Sequence, residues 1–377
     1  MDKAYRGIVN IKSTDLFEYV LLEASYKENN PVIVLKVHEK SSELLRLGLQ
    51  ADNEHPLLTT IDARDANFRG AWEDLALVLK YGFRDRSALA EYTVNRIFNT
   101  YFTANTKVYY TSNDIISYAD DPSLGSSRWD RIENGRYRQN RLGWSLTFGS
   151  HFERFGDVSA ELRVENQDVV GLSGPGFTSG KYRLVGIKLQ TIIDTENKFS
   201  FPTQGMYFLL SYESATKTLG SQVSFGKVNA KYEVYWTPFE RHTFRPRITF
   251  GFADETLPVT EQYSLGGFGS FYGLREDDSR GRQLFLVNME YRFWLPFKII
   301  FETYLKARYD VGTISAVPQE LKFNTFRHGI GGELALDTPL GEASFGAGES
   351  FYFHEDLPKS PVSSGPLLLY FSFGYHF

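Results

Sequence analysis

The residues best able to form a specific site lie between positions 263 and 282, where glycines alternate with aromatic residues and a dense charged cluster follows. Glycine permits sharp turns, and neighbouring arginines and carboxylates can pair inside a loop. The segment is too charged to be buried without partners. We expect this loop to be defined by Leu265, Gly266, Gly267, Tyr272, Gly273, Arg275, Glu276, Arg280 and Gly281.

Catalytic and metal-binding motifs are weak by comparison. The segment most similar to a Gly-x-Ser-x-Gly nucleophile elbow is GLSGPG at 171–176, where Pro175 replaces the final glycine, and a flexible loop is the better interpretation. The seven histidines are scattered and none forms an H-x-x-x-H motif, so no metal and no other cofactor is expected. The sequence therefore predicts that this chain is not an enzyme, although a domain upstream of it could be a lipase.

The elements that would position the charged loop alternate between apolar and polar residues, most clearly at the C-terminus. Residues 367–377 carry an apolar and aromatic face on alternate positions, which includes Phe371, Phe373, Tyr375 and Phe377. A period of two with one such face is typical of a strand that separates lipid from an aqueous lumen. The edge strand of a soluble β-sandwich is the alternative interpretation of this strand alone.

Three earlier segments, at 283–295, 299–311 and 326–336, favour the membrane strand. Their Lys, Arg, Asp and Glu residues all lie on the same face as the small and polar residues, and the opposite faces are rich in Phe and Tyr. A lipid-facing Lys or Arg near the middle of a bilayer costs about 2–4 kcal/mol, and aromatic outer faces are typical of membrane girdles. We therefore expect a charged lumen into which loop 263–282 folds back. The wall residues predicted to meet the loop are Glu290, Arg292, Glu302, Arg308 and Asp310.

From Leu44 onward the chain contains sixteen strand-like segments. They predict an all-β fold, a 16-stranded antiparallel transmembrane β-barrel with an inward-folded loop. Long loops at 113–136, 254–282, 312–325 and 355–365 would lie outside the cell, with the N-terminus on the periplasmic side. The composition agrees, with 16% aromatic and 23% charged residues and no continuous apolar helix-length run. The net charge of −5 argues against nucleic-acid binding.

Residues 1–41 differ from the rest of the chain. Two strand-like stretches, at 17–22 and 31–37, are joined by a polar turn and end near Lys40. The segment is too short to bury a core of its own, so we expect it to belong to a domain that continues upstream. The first residues lack the apolar region of a signal peptide, although an outer-membrane protein must be exported. We therefore expect a fragment of a longer protein, divided into residues 1–41 and 42–377.

Three motifs resemble those of the bacterial surface-antigen superfamily of outer-membrane assembly and translocation barrels. The loop is similar to the family's L-G-G…(V/I)-R-G-(F/Y) signature, with LGG at 265–267 and Gly273 in register. Residues 194–205 are similar to its D-T-R-D-N…P-T-R-G turn, and residues 67–70 to its N-(F/L)-x-G strand motif. The aromatic C-terminal strand resembles the family's membrane-insertion signal. Residues 1–41 resemble the tail of a polypeptide-transport-associated (POTRA) domain.

The resemblance implies a role for the loop but also a departure from the family pattern. In the family, the signature arginine locks the loop onto an acidic wall residue, which Asp310 would match. Tyr272 occupies the arginine position here, so Arg275 or Arg280 is the candidate substitute. The sequence FYGLRED at 271–277, followed by Arg280-Gly281, is most similar to the barrel of patatin-like phospholipase autotransporters.

Three functions stay open, the first two from the resemblance and the third from the barrel fold alone. The first is protein translocation or membrane-protein assembly, through a lateral seam between the first and last strands. The second is a membrane anchor or translocator for an upstream patatin-like phospholipase domain. The third is a diffusion porin. The partners implied are outer-membrane lipid and lipopolysaccharide, an unfolded client protein or an upstream passenger domain, and the barrel-assembly machinery for the chain's own insertion. A homodimer stays open as an alternative.

Overall fold

Antiparallel strands form nearly all the secondary structure in a computed structural model, which describes residues 17–27, 30–121, 123–124, 128–152, 156–174, 179–317, 326–353 and 362–374. Within these ranges no helix combines the length and the apolar character needed to cross a membrane. The strands are β1 (Phe17–Lys27), β2 (Asn30–Glu39), β3 (Glu43–Asp52), β4 (Leu58–Phe68), β5 (Glu73–Gly82), β6 (Asp85–Val94), β7 (Phe102–Asp120), β8 (Arg131–Phe152), β9 (Gly156–Ser173), β10 (Gly180–Asp194), β11 (Gly205–Ala215), β12 (Phe225–Phe239), β13 (His242–Ala253), β14 (Tyr263–Leu265), β15 (Ser279–Gly281), β16 (Gln283–Trp294), β17 (Glu302–Ser315), β18 (Arg327–Thr338), β19 (Gly341–Phe353), β20 (Val362–Ser364) and β21 (Leu368–Gly374).

The strands from β3 onward, apart from β14 and β15, close into a single barrel. Both β20 and β21 pair with β19, so together they form one interrupted strand and the wall has sixteen strands. The ring is completed by antiparallel pairing of β21 with β3, which we call the seam. The predicted 16-stranded antiparallel barrel is therefore confirmed. Closure leaves no free sheet edge within the wall, so backbone groups can pair inside it.

Side chains alternate between the two faces of the wall as the sequence predicts. On β16, Asn288, Glu290 and Arg292 are buried in the interior, whereas Met289 between them is 57% exposed on the outer face. On β19, Phe345 is likewise 58% exposed. Because hydrocarbon is the medium that such an outer face requires, the alternation places lipid outside and charge inside.

The prediction of a long polar loop at 113–136 is wrong in extent. Strand β7 continues to Asp120 and β8 starts at Arg131, so the two strands form a long hairpin beyond the membrane region. Asp114 and Arg138 lie opposite each other on it, with Asp114 Oδ1 2.6 Å from Arg138 Nε. The adjacent residues Ile115 and Ile116 are both buried, so strict alternation of apolar and polar residues is lost here and does not mark where the strands end.

The N-terminal segment forms a separate two-stranded sheet, in which β1 pairs with β2. Its apolar side chains are largely exposed, as Tyr26 (78%) and Ile33 (68%) illustrate. A lone hairpin of this kind is marginal in water. The predicted domain boundary near residue 41 and the POTRA resemblance stay predictions, and residues 1–16 lie outside the described part of the chain.

Candidate functional site: the inward-folded loop

The loop at 263–282 is a compact hairpin built on β14 and β15, which pair with each other and not with the wall. Gly266, Gly267 and Gly273 adopt positive φ and make its turns, and Gly281 is the last residue of β15. The Gly267 N–H donates to the Leu274 carbonyl at 3.1 Å and draws the two arms together. One side of the hairpin is apolar. It is buried in a cluster of Trp129, Leu265, Phe271, Leu274, Leu284 and Leu286.

The tip of the loop reaches the lumen wall at Asp310. The backbone N–H of Tyr272 donates to Asp310 Oδ2 at 2.8 Å. Arg308 and Asn288, both on the wall, donate to the Ser270 carbonyl at 2.5 Å and 2.9 Å. The Arg308 guanidinium also lies 4.4 Å from the centre of the Tyr272 ring. Loop and wall are thus joined by hydrogen bonds and a cation–π contact in a buried site.

The two candidate substitutes for the signature arginine bind elsewhere. Arg275 Nη1 lies 2.7 Å from Glu54 Oε1 in the β3–β4 turn. Arg280 Nη1 lies 2.7 Å from Asp277 Oδ1 within the loop itself. The positive charge beside Asp310 comes instead from the wall, because Arg308 Nε lies 2.8 Å from Asp310 Oδ1.

Glu276 joins the loop to a buried histidine. His55, in the β3–β4 turn, places Nε2 2.9 Å from Glu276 Oε2 and 2.8 Å from Asp85 Oδ2. Burial disfavours the imidazolium, but the carboxylates of Asp52, Asp85 and Glu276 outweigh it and raise the pKa of His55 to about 11. These residues are of types that bind metals. Sequence reasoning missed them because they are far apart in the chain.

The loop also contacts the last barrel strand at the seam. The rings of Tyr272 and Phe268 lie 5.3 Å and 5.2 Å from the ring of Tyr370 in β21. The Gly273 N–H donates to the Tyr370 hydroxyl at 2.9 Å. Across the seam, Tyr370 is paired with Asp52 of β3. One side chain therefore belongs both to the seam and to the docking site of the loop.

Glycines on the inner face of β18 and β19 provide the space for the loop tip. A Cβ atom at Gly331 would overlap the Tyr272 ring, and one at Gly348 would press on Tyr272 Cβ. A Cβ at Gly329 would overlap the Tyr272 carbonyl. The glycines are visible in the sequence, but the sequence does not show which loop residue approaches them. Their contact with Tyr272 could therefore be found only from the structure.

Glu290, Arg292 and Glu302, predicted as wall partners of the loop, do not meet it in the contacts that the structure describes. They lie towards the periplasmic end of their strands, whereas the loop enters from the extracellular end. Their partners are Arg245 for Glu290, the Pro202 carbonyl for Arg292, and Lys298 and Trp294 for Glu302.

A second segment, the turn at 195–204, projects into the lumen from the periplasmic side. Phe201 is only 3% exposed and stacks on Tyr304 of the wall, with 4.1 Å between ring centres. The Arg292 guanidinium lies 5.3 Å from the centre of the same ring. This turn coincides with the family-like segment at 194–205, which the sequence analysis did not place inside the lumen.

The remaining predicted site residues lie in the outer wall. Phe371 is 44% exposed on the lipid-facing side of β21, and Phe373 shares that face. Tyr375 and Phe377 lie outside the described residues. Ser173, in the weak nucleophile motif, ends β9 and is exposed, whereas a nucleophile elbow joins a strand to a helix. The role of the C-terminal aromatics in insertion stays a prediction.

Comparison with known proteins identifies the superfamily. The sequence profile described as the Omp85 superfamily domain matches residues 67–375. The outer membrane protein assembly factor BamA of Neorickettsia risticii (strain Illinois) is 20% identical over 359 residues, which are 89% of this chain and 46% of that protein. The chain thus spans less than half the length of this curated relative.

Solved structures agree on the fold. BamA from Haemophilus ducreyi lacking POTRA domains 1–3 has a TM-score of 0.70 at 14% identity, over 98% of this chain and 78% of that one. CdiB from Acinetobacter baumannii has a TM-score of 0.62 at 11% identity, over 96% and 67%. The resemblance drawn from the sequence is confirmed at the level of the superfamily. The chain belongs to the Omp85 superfamily and is an integral β-barrel of the bacterial outer membrane, with its N-terminus on the periplasmic side.

Proposed function

We propose that this barrel assembles membrane proteins, or translocates proteins, by opening sideways at the seam. The observation that carries the proposal is the shortness of the seam ladder. Within the described residues it joins five residues of β21 to five of β3, whereas the adjacent β3–β4 ladder joins eight pairs. Among the described residues, fewer cross-strand pairs hold this junction than its neighbours, so opening the wall here breaks the fewest hydrogen bonds.

Gly374 supports the same location. It has φ of +89°, and a Cβ atom there would overlap the Leu47 carbonyl of β3. The last described residue of β21 therefore departs from extended geometry where it meets the first strand. Separation of β21 from β3 would expose unpaired N–H and C=O groups, which an incoming client strand can pair with by β-augmentation.

The inward-folded loop and the turn at 195–204 support a lateral route over a path through the bore. Both segments occupy the lumen, the first at Asp310 and the second at Phe201. A diffusion porin needs an open bore, so we expect low single-channel conductance in planar bilayers. A large, stable conductance would favour the porin.

The seam can be tested with engineered disulfides, because the chain has no cysteine of its own. Gln50 and Ser372 are direct register partners across the seam, so Gln50→Cys with Ser372→Cys would lock it. In proteoliposomes, we expect oxidation to slow the folding of an unfolded outer-membrane barrel client at least about tenfold. A reductant should restore the rate.

A matched pair controls for the cross-link itself. Thr60 and Lys80 are register partners in the continuous β4–β5 ladder, and Thr60→Cys with Lys80→Cys should leave the rate unchanged. Full client folding with an oxidised seam would overturn the lateral mechanism. Failure of the unmodified chain to fold any client would favour the alternative, an anchor for an upstream patatin-like phospholipase. Whether the gene encodes a patatin-like domain or POTRA domains before residue 1 would then distinguish the two functions.

A further inference from the structure

Three side chains from distant parts of the chain converge at the extracellular end of the barrel. His55 lies in the β3–β4 turn, Asp85 begins β6, and Glu276 belongs to the inward-folded loop. Their nearest ligand atoms, one nitrogen and two carboxylate oxygens, all lie within 4.8 Å of one another. The arrangement therefore brings a nitrogen donor and two oxygen donors together from three separate elements.

A proton on His55 Nε2 is stabilised by two carboxylates, but it can make a well-aligned hydrogen bond to only one of them at a time. Asp85 Oδ2 and Glu276 Oε2 both approach Nε2, at 2.8 Å and 2.9 Å. A single N–H points in one direction and makes one well-aligned hydrogen bond, so the two oxygens compete for it. A cation placed between the three atoms would bond all of them. It would also balance more of the negative charge of the converging carboxylates.

The surroundings of His55 orient it as a ligand. Its side chain is 4% exposed, and Nδ1 lies 3.3 Å from Asp52 Oδ1. A carboxylate beside the second ring nitrogen is common in metal-bound histidines, and here the contact is electrostatic, because Nδ1 has no aligned hydrogen-bond partner among the described residues. A cavity of about 260 Å³ lined by Asp85 and Glu276 adjoins the cluster and leaves room for water in a fourth position.

We propose that His55 Nε2, Asp85 and Glu276 bind a divalent transition-metal ion, with Zn²⁺ the best match to one imidazole and two carboxylates. The ion would take the place of the Nε2 proton, which is released to solvent. With bonds of about 2.0–2.2 Å, the donors of a tetrahedral site lie about 3.4 Å apart. Nε2 and each of the two oxygens, now 2.8 Å and 2.9 Å apart, therefore need to separate by only about 0.5–0.6 Å. The ion would connect the loop to the first hairpin of the barrel.

The test is zinc binding to the untagged 377-residue chain in detergent, because a histidine tag would itself bind the metal. We expect one zinc per chain by equilibrium dialysis. X-ray absorption at the zinc edge should show one imidazole among nitrogen and oxygen ligands. We expect His55→Gln and Glu276→Gln each to weaken binding at least about tenfold, and Asp52→Asn to weaken it less.

The control is His151→Gln, which removes a histidine at the distant β8–β9 turn and should leave binding unchanged. Heat-modifiable migration on gels checks that each variant is folded, and the absorption spectrum of the unmodified chain does not depend on any variant. Absence of saturable binding, or binding that persists undiminished in folded His55→Gln, would overturn the site. These outcomes are independent of client folding, so they do not bear on the proposed seam.

Discussion

Asp310 shows how a single buried carboxylate holds the loop without the family's arginine. Its side chain is fully buried and receives the Tyr272 N–H, the Asn288 amide and the Arg308 guanidinium. Arg308 also faces the ring of Tyr272, a contact of about 0.5–2 kcal/mol. The positive charge beside Asp310 therefore comes from the wall, and the ring of Tyr272 in the loop faces it.

Gly273 is the residue at which the docked loop is most sensitive to substitution. Its φ is +73°, and a Cβ atom would overlap the backbone at Glu349. We expect Gly273→Ala to disfavour docking by about 1–3 kcal/mol, the usual cost of such strain. Tryptic cleavage after Arg275 and Arg280 should then accelerate at least about fivefold in the folded barrel.

Gly269→Ala is the matched control for this substitution. Gly269 is in the same loop, but a Cβ atom there meets nothing within 4 Å and its φ is not positive. We expect cleavage of this variant at the unmodified rate. Equal protease sensitivity of Gly273→Ala and the unmodified chain would contradict the described docking.

At the site, the sequence identifies the important residues more reliably than it identifies their contact partners. The loop, Arg308 and Asp310 are all found from residue type and alternation, and the structure brings them together. The pairing of Tyr272 with Arg308 could not be predicted, because it depends on how far the loop enters the lumen. The same depth leaves Glu290 and Glu302 out of reach. Interior charges alone do not encode this depth.

Among the elements, the turn at 195–204 carries both the buried aromatic residue Phe201 and Glu196, a carboxyl group whose ionised form is disfavoured. Asn197 Oδ1 accepts the Thr203 N–H at 2.9 Å and closes the turn. Burial, followed by the nearby charges of Asp194 and Glu233, raises the pKa of Glu196 to about 7, with Arg245 and Lys231 opposing the shift. The turn therefore carries a carboxyl group that resists ionisation at neutral pH.

The stability of this turn should fall as the pH rises. Because Glu196 binds its proton more tightly in the folded turn, the stabilisation is complete below about pH 4.5 and is lost as the pH passes about 7. After allowance for solvent screening of this half-buried group, we expect a loss of about 1 kcal/mol between pH 5 and pH 8. Hydrogen exchange of the amides at 195–204, corrected for intrinsic rates, measures it.

Glu196→Gln should remove this pH dependence while preserving the shape of the side chain. Glu240→Gln is the control, because Glu240 is 85% exposed in the neighbouring β12–β13 turn and should leave the pH dependence intact. An identical pH response in Glu196→Gln and the unmodified chain would exclude Glu196 as its source.

The strands themselves are predictable from the sequence wherever membrane and lumen impose opposite demands on alternate residues. Strand β16 is the clearest case, since its inward residues are Asn288, Glu290 and Arg292. In the β7–β8 hairpin beyond Asp114 the adjacent residues Ile115 and Ile116 are both buried, so the alternation stops and the sequence does not mark the strand boundary. Pairing partners such as Asp114 and Arg138 then extend the ladder without an apolar signal.

For the whole molecule, the barrel is a closed wall whose bore is filled from both ends. The hairpin loop enters from the extracellular side and packs on Leu284 and Leu286, while Phe201 enters from the periplasmic side. An apolar outer surface and a charged interior are therefore separated by one layer of backbone. Adjacent residues of a single strand lie in two different solvents.

Tyr232 and Lys231 on β12 test this separation directly. Tyr232 is 44% exposed on the outer face, whereas Lys231 lies on the inner face with its side chain 33% exposed. In vesicles, a nitroxide at Tyr232→Cys should be relaxed mainly by oxygen dissolved in lipid. A nitroxide at Lys231→Cys should be relaxed mainly by a water-soluble nickel chelate. Reversal of this order, or equal access at both positions, would contradict the transmembrane barrel.

Tyr370 couples the opening of the seam to the release of the inward-folded loop. If β21 moves away from β3 while the loop stays docked on the wall, this ring separates from Tyr272 and its hydroxyl from the Gly273 amide. The free energy of opening the seam then includes the free energy of breaking these contacts with the inward-folded loop. Because such coupling is reciprocal, any change that stabilises the docked loop also stabilises the closed seam. A client that opened the seam would weaken the docking of the loop by the same free energy.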